Sequence, residues 1–240
     1  MRVVITQSML FPWVGLLEQI RLADVVVHYD DVQFSKGSYV NRIQLKMPAG
    51  RSWMTVPLAQ LSLGQVIDEV KVDQQRPWQS DHRTLLQKSL GSAANYSDAA
   101  AVLDSVYKNA ASEIGPLARA SLMASLRYFG LDQDRKFLHV DELGIPGSSS
   151  DRVLAVVKAV GGTEYITGHG AKNYLDHEGF ERAGVSVGYI DYALKPYPQL
   201  HGDFTPYVSC LDLIANMGRR GEDCICSRTI EWREFLGRSA

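Results

Sequence analysis

Two adjacent carboxylates, Asp30 and Asp31, follow the apolar run Val25–Tyr29. A carboxylate at such a position can bind a ligand amine or hydroxyl, hold a divalent ion, or act as a base. Adjacent residues on an extended chain point to opposite sides, so only one of the two is expected to face a ligand. Gln33, Lys36, Asn41 and Arg42 come next, beside Phe34 and Tyr39. Both signs of charge among aromatics suit a ligand bearing phosphate or carboxylate. The same residues describe a solvated hairpin face equally well.

Three further segments carry chemistry-bearing types. Gly147-Ser148-Ser149-Ser150-Asp151-Arg152 opens a helix directly after a strand. Free N–H groups at a helix start attract anions, and capping alone accounts for one serine but not three. Gly168-His169-Gly170-Ala171-Lys172-Asn173-Tyr174 is a glycine-rich turn with a lysine. It lacks the full spacing of either phosphate-loop pattern. Pro196-Tyr197-Pro198-Gln199-Leu200-His201-Gly202 is dense in turn formers and reads as a lid carrying Tyr197, Gln199 and His201, with His201 the general acid/base among the six histidines. No G-x-S-x-G elbow marks a serine nucleophile.

These segments need a scaffold, and the apolar pattern supplies one. Val3-Val4-Ile5 reads as a strand ending at Gln7. Trp13, Leu16, Leu17 and Ile20 take the spacing of one helical face, with Pro12 in the first turn. Val25–Tyr29 is a second strand, so the start reads as a parallel strand–helix–strand unit. VNRIQLKM and SWMTVPLA flank Pro48-Ala49-Gly50 and read as a hairpin, and VIDEVKV (66–72) alternates like another strand. A helical stretch follows, opened in turn by Pro77, Ser97 and Ser112 and closed at Gly130. Alternation then returns: KFLHVD as a strand, a helix from the N-cap Ser150 through DRVLAVVKAV, EYITG and SVGYIDY as strands, TPYVSCLDLIANMG as a helix, and RTIEWREFLG as a weaker one. The expectation is a single α/β domain over 1–240, a Rossmann-like parallel sheet with a β-hairpin excursion and a helical insertion at about 76–130. Ligands of such sheets bind beyond the carboxyl ends of the strands, where Gln7, the Asp30–Gln33 loop and Gly168–Tyr174 would share one rim.

Composition narrows the classes. Across 240 residues the chain is 45% hydrophobic and 22% charged, with a net charge of −2, which excludes disorder and leaves no basic footprint for nucleic acid. No apolar run approaches the roughly 18 residues of a membrane span, and MRVVITQSMLFPWVG reads as a first strand and not as a signal peptide. Three cysteines suit a reducing cytoplasm. None of the common zinc spacings is present, so no metal ligand set is assigned.

Taken in order, Gln7 with FPWVG, ADVVVHYDDVQF, NRIQL, SWMTVPL, SSSDRVL, TEYITGHGAKNYLD and YPQLHGDFTPYVSCLDLI resemble the WbqC-like family of bacterial proteins over nearly the whole chain. The resemblance implies a cytoplasmic protein of surface-polysaccharide or natural-product gene clusters. A separate, fold-level likeness is to the HIGH-type nucleotidyltransferase (HUP-like) fold. At the H-x-G-H positions of that group this chain reads Pro12-Trp13-Val14-Gly15, and no KMSKS-like loop is evident. The fold analogy keeps a nucleotide-shaped pocket but not that group's chemistry.

The reading that follows is a transferase forming an amide or ester on an amino-sugar, sugar nucleotide or amino acid. Asp30 or Asp31 would orient or deprotonate the acceptor, Lys172 and Arg152 with Ser148, Ser149 and Ser150 would hold an anionic donor, and His201 would shuttle the proton. Gln7, Trp13, Gly15, Gln33, Lys36, Asn41, Arg42, Gly168, Gly170, Tyr174, Tyr197 and Gln199 would contact substrate. The alternatives are an ATP-dependent adenylate-forming ligase, with ATP or another nucleotide and Mg²⁺ as cofactors, and a non-catalytic partner of a pathway enzyme. A homodimer fits any of the three.

Overall fold

The computed structural model describes residues 1–238. Its centre is a six-stranded sheet built from β1 (Arg2–Thr6), β2 (Val25–His28), β7 (Lys136–His139), β8 (Glu164–Thr167), β9 (Ser186–Asp191) and β10 (Arg228–Glu231). The spatial order is β10-β9-β8-β1-β2-β7, parallel throughout except that β10 runs antiparallel to β9. The chain thus starts in the middle, builds outward to β7, then crosses back to β8. That reversal between β1 and β8 is the switch point at which α/β sheets open a crevice.

All of VVVH in β2 is buried, as expected of a strand covered on both faces. Alternate residues feed two cores. Val4, Val26 and Ile166 point to one face, where they pack with Leu17 and Ile20 of α1 (Val14–Arg21) and the inner sides of α2 (Trp78–Leu90), α3 (Tyr96–Tyr107), α4 (Ile114–Tyr128) and α7 (Cys210–Met217). Val3, Val25, Val27 and Tyr165 point to the other, against Val153 and Val156 of α5 (Ser149–Ala159), Phe180 of α6 (His177–Arg182) and Phe235 of α8 (Trp232–Arg238). The excursion is the hairpin β3 (Arg42–Met47) and β4 (Gly50–Thr55), followed by the short pair β5 (Leu58–Ala59) and β6 (Lys71–Val72). Helices α2–α4 stand between β6 and β7.

Several elements differ from the sequence reading. VIDEVKV is not one strand: Ile67–Glu69 forms a 3-10 turn, and only Lys71–Val72 is extended. Ile67 and Asp68 donate their N–H groups to Val32 and Asp30, so docking on the loop after β2 overrides the alternation. RTIEWREFLG splits into strand β10 and helix α8 because Arg228–Glu231 completes the sheet edge beside β9. Ser148, and not Ser150, stands at the start of helix α5, without a capping bond, and the Ser150 hydroxyl instead accepts from the Asp176 N–H at 2.8 Å. Asn95 and Glu113, and not Ser97 and Ser112, occupy the cap positions of α3 and α4. Residues 205–209 precede α7 without being helical, and Ser209 caps it.

Candidate functional site

A cavity of about 620 Å³ opens at the switch point. The end of β1 gives it Ile5, Thr6 and Gln7, and the loop beyond adds Met9 and Trp13. Helix α1 supplies Leu16 and Gln19, the end of β2 supplies Tyr29, and α5 contributes Ser149 and Val153. From β8 and the turn after it come Tyr165, Thr167, Gly168, His169, Gly170, Ala171 and Tyr174, while Tyr192 follows β9. Among these described residues none is Asp, Glu, Lys or Arg. The lining is flat rings, two amides, hydroxyls, one imidazole and aliphatic side chains.

Trp13 is placed by strained backbone. Phe11 is fully buried at φ 29, the left-handed side that non-glycine residues avoid. Its N–H donates to Ser121 Oγ (2.8 Å) and its carbonyl accepts from Ser209 Oγ (2.7 Å), so both polar groups are pinned. The Trp13 ring then lies over Gly15: a Cβ there would come within 2.2–2.5 Å of ring carbons, so only glycine fits beneath it. Tyr192 stands against Trp13 at 4.9 Å between centroids, and Tyr207 flanks it at 6.1 Å. Burial pushes the Tyr192 phenol up to about 12, so it is a neutral donor.

Across the cavity, Gln19 Nε2 donates to the Ile166 carbonyl at 3.1 Å. A Cβ on Gly168 would sit 3.2 Å from the Tyr192 hydroxyl and 3.6 Å from Gln19 Oε1, so the missing side chain keeps this part of the space open. His169 Nε2 lies 2.8 Å from the Ile190 carbonyl. A carbonyl only accepts, so Nε2 donates to it and Nδ1 is the ring nitrogen left without that bond. Tyr192 and Phe235 hold that ring at 4.9 and 4.7 Å. The Tyr165 phenol bonds with Thr167 and Tyr174, and burial raises its pKa and that of Tyr174. At the start of α5, Ser148 makes no capping bond and Ser149, at φ 54, lines the cavity. The first N–H groups of this helix therefore carry no side-chain cap at the rim.

Of the residues singled out from sequence, Gln7, Trp13, Ser149, Gly168, Gly170 and Tyr174 line this cavity. Arg152 sits behind Tyr29, 4.9 Å over its ring, and grips both oxygens of Asp31 as well as the Ile145 carbonyl (2.9 Å). Asp30 is fully buried on the far side of Ser8, and burial raises its pKa against the pull of the Ser8 and Arg119 bonds. Lys172 is exposed on the turn after β8, outside the cavity lining. Gln33 pairs with Val66, Lys36 is exposed, Asn41 donates to the Val56 carbonyl, and Arg42 donates to the Gly37 carbonyl beneath the Trp53 ring.

The segment carrying Tyr197, Gln199 and His201 folds onto the hairpin. Tyr197 donates to Asp212 at 2.9 Å, Gln199 bonds Tyr197, Thr205 and Lys46, and His201 Nε2 donates to the Ser89 carbonyl at 2.7 Å. The sequence reading missed Gln19, Tyr29, Tyr165, Thr167 and Tyr192, and it quoted His169 without giving it a role. Their common signal was position: all but Gln19 stand within about two residues of a strand end.

The model of the WbqC-like protein family matches residues 7–223. The chain is similar to the uncharacterized protein Rv1507c of Mycobacterium tuberculosis, 29% identical over 225 residues that cover 92% of this chain and 96% of that protein. No solved structure matches it at significance. No helix among the described residues is long and apolar enough to cross a membrane. With matched sequence reaching from the first strand end to the last turn before β10, the chain belongs to the WbqC-like protein family.

Proposed function

We propose that this protein is a transferase that binds a nucleotide-linked sugar or amino-sugar in the switch-point cavity and places an acyl group on its amine or hydroxyl, forming an amide or ester. One observation carries the reading. A cavity of about 620 Å³ with ring, amide and hydroxyl lining lies beside an uncapped helix start. Its volume lies in the usual range for small-molecule sites. Flat rings such as Trp13 and Tyr192 suit a base or sugar face, and the free N–H groups of α5 suit a phosphate.

The proton step is assigned to His169. As the acceptor attacks the acyl carbon, its N–H or O–H proton passes to His169 Nδ1, the ring nitrogen left without the bond that Nε2 makes to Ile190. The acyl donor's leaving group then departs with the bonding electron pair and takes that proton back from His169, restoring the free base. Gln7 and Gln19 orient the acceptor, and the Tyr192 hydroxyl donates to developing negative charge.

The test pairs binding with turnover. Nucleotide sugars, ATP, AMP, CoA and acyl-CoA, each with and without Mg²⁺, are screened for a rise in melting temperature. Nucleotide sugar with acyl-CoA is then assayed for product. A shift with nucleotide sugar, product formation, and a His169→Ala variant that keeps the shift but loses product by a factor of about 10²–10⁴ support the reading. A shift confined to ATP or AMP replaces it with ATP-dependent ligation. A flat panel replaces it with a partner-protein role, and full turnover in His169→Ala overturns the assignment of the proton step.

A further inference from the structure

One strand away from the cavity, on the β2/β7 side of the sheet, three side chains far apart in the chain converge. Asp30 follows β2, Asp68 lies on the 3-10 turn Ile67–Glu69, and His139 ends β7. One ligand-type atom from each lies within 4.8 Å of the other two. None of the three lines the cavity.

The hydrogen bonding around them is incomplete in one place. Asp30 Oδ1 accepts from the Ser8 N–H (2.7 Å), and Oδ2 accepts from Ser8 Oγ (2.6 Å) and Arg119 Nη1 (2.7 Å). A carboxylate offers about four lone-pair sites, so one on Oδ1 stays available. Asp68 Oδ1 takes the second Arg119 nitrogen at 3.3 Å. Asp68 Oδ2 and His139 Nε2 are both buried atoms without a hydrogen bond, although they stand 2.8 Å apart. Two donors each roughly 2.1 Å from one ion and about 90° apart would be separated by about 3 Å. The observed spacing is that of neighbouring ligands on a shared cation.

Two more features agree. Asp141 Oδ2 lies 3.3 Å from His139 Nδ1. With a cation on Nε2, that carboxylate would accept the Nδ1 proton, the arrangement that orients metal-bound imidazoles. Asp30 and Asp68 also share the single guanidinium of Arg119.

We propose that Asp68 Oδ2, His139 Nε2 and Asp30 Oδ1 hold a first-row divalent cation, with water completing its coordination. The mixed oxygen and nitrogen donors suit zinc or manganese better than calcium. The ion would tie the 3-10 turn, and with it the chain leading into α2–α4, to the ends of β2 and β7.

The test uses the full chain stripped with EDTA and titrated with Zn²⁺ or Mn²⁺. Expected are close to one ion per chain by elemental analysis after desalting, and a melting temperature that rises with added metal and falls again with EDTA. Asp68→Asn and His139→Ala should each weaken binding by more than the roughly 10–100-fold that loss of an outer partner costs. If either variant fails to fold, the d–d spectrum of the Co²⁺-loaded wild type, whose bands report nitrogen and oxygen donors, replaces it. No stoichiometric metal and no shift with either ion overturns the proposal. So does metal binding that both variants retain at full strength, or a cobalt spectrum dominated by thiolate charge transfer.

Discussion

The switch-point cavity and the Asp30–Arg119 cluster lie at one edge of the same sheet, yet they use opposite kinds of side chain. The cavity is lined without any acid or base stronger than an imidazole. The cluster holds Asp30, Asp68, Arg119, His139 and Asp141, linked by contacts of 2.7 to 3.3 Å. The contrast teaches that one sheet edge can divide its chemistry, charge gathering around Asp30 and rings around Trp13. Arg119 joins α4 to the loop after β2 and to Asp68, and the open space is left to rings, amides and aliphatic side chains. The Asp31–Arg152 pair does the same work for α5, holding its first turn beside Tyr29.

The sharpest way to break this contrast is to remove charge on the buried side. Asp30→Ala leaves Arg119 facing Asp68 alone, strands the Ser8 N–H in a fully buried place and leaves the Ser8 hydroxyl only His28 Nδ1 at 3.0 Å. A loss of about 3–5 kcal/mol in urea unfolding is expected, as when one partner of a buried pair is removed. Gln7→Ala in the cavity should change stability by under about 1 kcal/mol, since Gln7 is only partly buried. Equal costs for the two variants would erase the distinction.

A pH series gives the next largest effect. His82 is buried between α2 and the hairpin, its Nδ1 2.7 Å from the Tyr107 hydroxyl and its Nε2 3.0 Å from the Thr55 carbonyl. Burial lowers its pKa to about 4. The unfolded chain, with an ordinary histidine, binds this proton near pH 6.5 and the folded chain does not until about 4. His82 therefore costs no stability above about pH 6.5, and stability falls by up to about 1.4 kcal/mol per unit as pH drops from there toward 4. His82→Gln should remove part of that slope in the urea-derived stability profile, the rest coming from His28, whose pKa burial also lowers to about 4. An unchanged slope would show that His82 is not among the residues responsible.

The same contrast explains what could be read from residues alone. The strands β1, β2, β8 and β9, the hairpin and α5 were legible because apolar runs and turn formers are local signals. The six cavity residues identified from sequence were found by the rule that ligands sit beyond strand ends. Gln19 was hidden because it lies on the helix face that reads as ordinary core packing. His169 was outweighed by His201, whose Pro- and Gly-rich setting suggested mobility, while the fold uses that segment to cover Lys46 and Ser89. The Asp30, Asp68 and His139 cluster was invisible for a different reason. Its members are separated by a hairpin and three helices, and short-spacing metal motifs cannot register such a set.

On the cavity side, Gly168→Val is the sharper probe. At φ −85 the backbone accepts a side chain, so folding should survive. The added methyl groups would fill the gap between the Tyr192 hydroxyl and Gln19 Oε1. Removing the Trp13 ring by Trp13→Leu tests the opposite wall. Loss of one stacked ring costs about 1–3 kcal/mol of binding where a base is held this way. Both variants should weaken the nucleotide-sugar response by about 10–100-fold in titration calorimetry, and unchanged affinity in both would separate the ligand from this cavity.

The smallest effect is expected at Lys172, and that smallness is informative. Its side chain is exposed on the Gly168–Tyr174 turn and lies outside the cavity lining. An exposed lysine away from caps and pairs changes stability by less than about 0.5 kcal/mol when replaced. Lys172→Met should therefore leave unfolding, ligand affinity and turnover within twofold of the parent chain. Long-range attraction of an anionic donor would still register, as a slower association that vanishes above about 0.5 M salt, where the screening length falls to a few ångströms. A turnover loss of tenfold or more that persists at high salt would instead mean that the turn folds inward when ligand is bound. Charge would then enter a cavity that is uncharged when empty, and the two regions would differ only until substrate arrives.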